Sequence, residues 1–127
     1  MRVHIDLETF STVDLRTSGV YRYTESPDFE ILIIAYAIDG GDVHTVDMYG
    51  KQELPSELRE LLLDKENVLC AHNATFERLS LLQYGLILPA SRWECSMIKS
   101  YYCGLPGGLA DVSTALSLGK DSKDAAG

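Results

Sequence analysis

The sequence predicts an α/β domain built on a mixed sheet, and three observations carry that prediction. The chain opens with a strictly alternating segment, Val3 to Leu7. A β-branched apolar run, Ile31 to Ile38, is followed by the turn signal Asp39-Gly40-Gly41-Asp42 and a second alternating segment, Val43 to Met48. Further on, segments of helical period flank a short apolar run, Val68 to Ala71. Period-two patterns mark half-buried strands, and a period near 3.6 marks helices packed on a sheet.

In chain order, the first strand puts Val3, Ile5 and Leu7 on one face and His4, Asp6 and Glu8 on the other, because successive side chains point to opposite sides. Ile31 to Ile38 and Val43 to Met48 form a hairpin across the Asp-Gly-Gly-Asp loop, and with the first strand they suggest three antiparallel strands. Pro55 to Asp64 predicts a helix, with Pro at the first turn and Leu54, Leu58, Leu61 and Leu62 at helical spacing. Asn67 to Ala71 reads as a short buried strand, and Thr75 to Tyr84 returns to helical period with Phe76, Leu79 and Leu82. The expected order is therefore β, β, β, α, β, α. Two more helices are expected at Cys95 to Cys103 and Leu109 to Leu118, separated by the flexible Gly104-Leu105-Pro106-Gly107-Gly108. Residues 1–118 form the expected domain, and 119–127 a polar tail. The sheet then carries three antiparallel strands and one parallel strand, with flanking helices.

At 127 residues the chain suits one domain. A hydrophobic fraction of 46% with 24% charged residues is that of a globular protein, and no run approaches the ~20 apolar residues of a membrane span. The start lacks the apolar region of a secretory signal, so no membrane association and a cytoplasmic location are the expectation. Cys70, Cys95 and Cys103 make an odd count without a C-x-x-C pair and read as reduced thiols, two of them in the core. His4, His44 and His72 are dispersed, which argues against a zinc site, although His72 precedes Asn73 and is expected near a cleft. A net charge of −8 repels nucleic acid and argues against a stand-alone binding module. It argues less against an enzyme with a carboxylate cluster, where divalent metals reverse the local charge.

Asp6 and Glu8, two apart on a strand, point the same way and can share a hard cation such as Mg²⁺ or Mn²⁺. D-x-E is common, and alone it describes a solvated strand end equally well. The second feature is Asn73-Ala74-Thr75-Phe76-Glu77, just after a buried strand and at the opening of a helix, where Asn73 or Thr75 can cap and Glu77 lies in the first turn. Tyr21, Tyr23, Tyr101 and Tyr102 are either core aromatics or stacking platforms for bases. Arg78 is placed to meet a phosphate or to form a surface ion pair. Leu7 and Phe76 are expected to pack beneath the acids.

Together, in this order, the two motifs resemble the proofreading 3′–5′ exonuclease domain of phage-type family A DNA polymerases, within the DEDD exonuclease superfamily of ribonuclease H-like fold. Asp6-Leu7-Glu8-Thr9 matches that family's first motif, and Asn73-x-x-Phe76-Glu77 its second except at the last residue, usually aspartate. Ser11 to Tyr23, Ala71 to Arg78, and Gly104 to Gly108 running into Leu109 are similar to the phage-type members. The resemblance implies that the opening strand lies centrally and that Asp6, Glu8 and Glu77 are catalytic and metal-binding. Asp6 and Glu8 would hold one metal, while Asp6 bridges to a second that Glu77 binds through water. Leu7, Thr9, Asn73 and Phe76 would contact substrate. It further implies a Mg²⁺ or Mn²⁺ cofactor, a single-stranded DNA 3′ end as substrate, and a polymerase domain in the full-length protein. The family's third motif, a Tyr or His followed by the fourth carboxylate, has no match: after Glu77 the only aspartates are Asp111, Asp121 and Asp124, and none follows Tyr or His at the required spacing. The chain is thus expected to stop before that motif, with a fold incomplete at its C-terminal end and weak or no activity alone. Self-association through an exposed apolar surface follows as a further expectation. A non-catalytic ribonuclease H-like binding or scaffold module and a stand-alone RNA-directed exonuclease are the alternatives.

Overall fold

The computed structural model describes residues 1–116. Its centre is a five-stranded sheet of β1 (Arg2–Phe10), β2 (Glu30–Ile38), β3 (His44–Asp47), β4 (Val68–Ala71) and β5 (Trp93–Cys95) in the order β3-β2-β1-β4-β5. β1 pairs antiparallel with β2, and β2 antiparallel with β3. β4 lies parallel to β1, and β5 parallel to β4. The three antiparallel strands and the central place of the opening strand are as the sequence predicts.

The alternation in β1 decides which face is buried. Val3, Ile5 and Leu7 enter the core with Ile31, Ile34 and Leu69. Above them lie Leu58 and Leu62 of α2 (Ser56–Leu63) and Leu81 of α3 (Ala74–Leu82). His4, Asp6 and Glu8 occupy the opposite, exposed face. Beside them in register lie Ala37, Ala35 and Ile33 of β2. The ladder shifts between Glu8 and Thr9, so the strand bends just past the two acids.

Arg92 closes the connection between α2 and β4. Its guanidinium donates to the carbonyls of Leu62 at 2.6 Å, Asp64 at 2.7 Å and Asn67 at 3.1 Å. The Asn67 side chain donates to the Leu61 carbonyl at 2.9 Å, which leaves little of that turn's backbone unpaired.

Three elements differ from the expectation. A helix, α1 (Leu15–Glu25), lies between β1 and β2, capped by Asp14, whose carboxylate accepts from the Arg16 N–H at 2.9 Å. It is broken at Gly19, with φ 82 and ψ 167, and only Thr24 is buried, so its apolar period is too weak to read. The expected order without a helix there is corrected accordingly. The short β5 precedes the fourth helix, so Cys95 ends a strand and the helix α4 begins one residue later (Ser96–Tyr102). Pro55 caps α2 from outside and does not enter its first turn. α5 covers Leu109–Ala115, and the remainder of the helix expected to reach Leu118, with the polar tail 119–127, lies outside the described residues. Of the thiols, Cys70 is buried, Cys95 half-buried and Cys103 exposed, so one and not two of them is core. No helix among the described residues is long and apolar enough to cross a membrane.

Candidate active site

Asp6 and Glu8 stand exposed on the open face of β1, as period-two geometry requires. Glu77 arrives from the other side of the chain turn: it sits in the first turn of α3, directly after β4, which is paired with β1. At that helix start the Ala74 N–H donates to Cys95 Sγ at 3.5 Å, and the rest is backbone. The N–H groups of Phe76 and Glu77 donate to the Asn73 carbonyl at 2.9 and 3.4 Å, and the Asn73 side chain makes no capping bond. The expected cap from Asn73 is therefore absent, and its amide is exposed and free for another partner.

Glu77 is only 5% exposed, and its Oε2 has no hydrogen-bond partner. Burial strips the carboxylate of water, and the nearby Asp6 charge adds repulsion, so the Glu77 carboxyl is pushed up to about 8 from 4.5, against a smaller opposing pull from its backbone hydrogen bond. An acid held this way is costly unless positive charge meets it. Of the two strand acids, Asp6 is the one whose charge reaches Glu77, and Glu8 lies further along the same strand face. Among the described residues no three His, Cys, Asp or Glu side chains form a group that could hold a metal ion. The donors fit a hard divalent cation in kind, since both residues offer carboxylate oxygens and one of these is buried and orphaned, but two carboxylates are not a full shell.

Of the residues expected to contact substrate, Leu7 is buried in the core, Asn73 is exposed, and Thr9 and Phe76 are half-buried. Thr9 Oγ1 lies 2.9 Å from the Tyr23 hydroxyl of α1. The Tyr23 ring in turn packs against Phe76, with centroids 5.9 Å apart, and edge-on against Phe29 at 5.8 Å. The sequence singles out Tyr23 only as one of four tyrosines. The pattern that could have marked it is a helix with Asp14 as its cap, which places Tyr23 and Thr24 on the inner side.

A cavity of about 460 Å³ runs from Asp6 along the open sheet face, past His4 and Arg2 to His72, Glu94 and Lys99. Of the predicted acids only Asp6 lines it. Arg2 and Lys99 both bind Glu94, the latter at 3.0 Å, and these bonds hold the Glu94 carboxyl below its usual range. His72 is held at both ring nitrogens, by Ser96 Oγ at 2.8 Å and by the Gly107 carbonyl at 2.6 Å. Since a carbonyl only accepts, Nε2–H is the donor to Gly107. His72 does lie beside the cleft, as a tie between the β4–α3 corner and the Gly104 to Gly108 loop.

No family model matches the chain. A DNA polymerase of Bacillus phage SP02 is 44% identical over 124 residues, 97% of this chain and 19% of the polymerase, so the chain spans about a fifth of that relative's length. Among solved structures, Brucella melitensis NrnC with bound Mg²⁺ superposes with a TM-score of 0.71 at 20% identity, over 97% of this chain and 57% of the other. The apo form of a nuclease superposes with a TM-score of 0.69 at 19% identity, over 92% of this chain and 52% of the other. At that identity the structures establish the shared fold, and the fold is of the ribonuclease H-like α/β type. A stretch nearly half identical to part of a phage DNA polymerase, folded as nucleases fold and carrying both acid motifs in order, is consistent with a 3′–5′ exonuclease domain.

Proposed function

We propose that this chain supplies most of the carboxylate site of a metal-dependent 3′–5′ exonuclease that acts on DNA 3′ ends, as the proofreading region of a DNA polymerase. The observation that carries the reading is Glu77: a buried carboxyl on α3 whose Oε2 has no hydrogen-bond partner and which feels the charge of Asp6 on β1. A fold does not need such a pair for stability, and functional sites are where such perturbed acids collect. The Mg²⁺ reported in the NrnC relative supports a divalent ion as cofactor here.

The chemistry that Mg²⁺ or Mn²⁺ supplies when bound is a lower pKa for an attacking water and charge neutralisation at the leaving 3′ oxygen. Asp6 and Glu8 offer exposed carboxylate oxygens from one strand face, and Glu77 offers a desolvated one that ionises only where positive charge replaces its lost water. Phe76 presents a half-buried ring for a base to rest on, packed against the core of which Leu7 is part. The exposed Asn73 amide and the Thr9 hydroxyl provide hydrogen bonds to the terminal nucleotide. A single-stranded 3′ end fits this arrangement, and a polymerase domain elsewhere in a longer protein would supply the cationic surface that a chain of net charge −8 lacks.

One observation favours a second reading, that of a non-catalytic binding or scaffold module: among the described residues no third donor joins Asp6 and Glu77. A 5′-labelled single-stranded oligonucleotide incubated with Mn²⁺ separates the two. The exonuclease reading predicts slow shortening from the 3′ end, abolished in Asp6→Ala and by chelator. Cleavage at internal positions, or shortening undiminished in Asp6→Ala, would overturn it. Absence of Mn²⁺ binding as well as of hydrolysis would favour the module.

A further inference from the structure

We propose that Tyr23 is a positioning residue for the substrate wall of this site, and that it orients both Thr9 and Phe76 toward the terminal nucleotide. This rests on the exonuclease reading above. Tyr23 is half-buried and stands on α1, a helix that shares neither motif, yet it touches one residue from each. Its hydroxyl meets Thr9 Oγ1, the residue directly after Asp6-Leu7-Glu8, at 2.9 Å. Its ring tilts against Phe76, the residue directly before Glu77, at 5.9 Å. Phe29 also packs edge-on against the Tyr23 ring at 5.8 Å, and both phenylalanines rest on the core.

Two properties make this more than packing. Thr9 lies just beyond the register shift in β1, where the ladder no longer fixes the strand as tightly, so a side-chain tie from another element sets where its hydroxyl points. Two hydroxyls that share one hydrogen bond also hold a second O–H between them, and that one is left to donate to an acceptor oxygen of the nucleotide. The helix that delivers Tyr23 turns at Gly19, whose φ of 82 and ψ of 167 only glycine adopts readily. The break re-aims Val20 to Glu25, and α1 packs on α3 there.

The test uses the full chain in Mg²⁺ with a thymidine tetradeoxynucleotide as probe, read by amide chemical shifts. The wild type is expected to show shifts at Thr9 and Phe76. Tyr23→Phe, which keeps the ring and loses the tie, should weaken binding about fivefold, the usual worth of one hydrogen bond. Thr9→Val, which removes the nucleotide contact along with the tie, should weaken it at least as much, and the double variant no further than Thr9→Val alone, since Tyr23 acts through Thr9. Affinity unchanged in Tyr23→Phe, or additive losses in the double variant, would overturn the assignment. A purely structural role would lower stability without this non-additivity in binding. The free protein supplies an independent reading: in Tyr23→Leu the Phe76 ring signals should show faster ring motion, and unchanged signals would refute the coupling. If the wild type fails to bind the tetramer, the exonuclease reading falls, and the Phe76 signals alone then decide whether Tyr23 holds that ring.

Discussion

Replacing Glu77 by Gln should make this protein more stable above neutral pH and leave it nearly unchanged at pH 5. The reason is linkage. The native carboxyl holds its proton up to about 8, whereas the unfolded chain releases it near 4.5. Between those values the native state binds more protons than the unfolded state, so stability falls as pH rises, and the fall is complete once pH passes the native value. At about 1.4 kcal/mol per pH unit the full effect is about 5 kcal/mol, and about 3 kcal/mol if water reaches a relaxed side chain. Either figure is a large share of the ~5–15 kcal/mol of a typical domain. Gln carries no titrating proton and removes the dependence. Urea denaturation of both proteins in chelator at pH 5 and pH 9 measures it: the wild type should lose about 3 to 5 kcal/mol more than Glu77→Gln across that interval. Added Mg²⁺ should recover part of the wild-type loss at pH 9 and nothing in the variant, because a ligand that binds only the native state stabilises it. Equal pH dependence in the two proteins would refute the placement of Glu77 as a desolvated acid.

Other substitutions test the scaffold that holds the site. Gly19→Ala should cost about 1–3 kcal/mol by denaturant titration, although a Cβ there meets nothing within 4 Å, because the penalty is backbone strain and not a clash. Arg92→Lys should cost about 1–3 kcal/mol in the same assay, since an ammonium cannot span the three carbonyls that the planar guanidinium bridges, and a loss below a few tenths would contradict that role. Leu81→Ala, at a side chain with no exposure, should cost about 2–5 kcal/mol, and a smaller loss would mean that α3 is less firmly seated than the geometry requires.

The parts of the fold that were legible in the sequence are those where one local pattern settles the outcome. Val3, Ile5 and Leu7 alternate with His4, Asp6 and Glu8, and this fixed both the strand and the shared face of the two acids. The Asp39 to Asp42 turn announced the β2–β3 hairpin, and the leucines at 54, 58 and 62 announced α2. α1 was not legible because Gly19 breaks its period and only Thr24 is buried. β5 is three half-buried residues that become a strand only by pairing with β4, a tertiary event with no local pattern. The site divides the same way. The identity of the acids can be read from spacing and resemblance, but the burial of Glu77 and the absence of a capping bond from Asn73 depend on what packs around them. Tyr23 was visible as an aromatic, yet its partners lie 14 and 53 positions away and emerge only when α1 folds onto β1 and α3.

The central claim, that Asp6 and Glu77 are halves of one cation site, is tested most directly by paramagnetic Mn²⁺ broadening of assigned amide resonances. The account predicts that Asp6, Glu8 and residues 73–77 lose intensity first, at sub-stoichiometric Mn²⁺, and that Asp6→Ala removes the effect at residues 73–77 as well as at its own strand. Broadening that begins at the surface acids of the β2–β3 turn, Asp39 and Asp42, or that persists around Glu77 in Asp6→Ala, would contradict it.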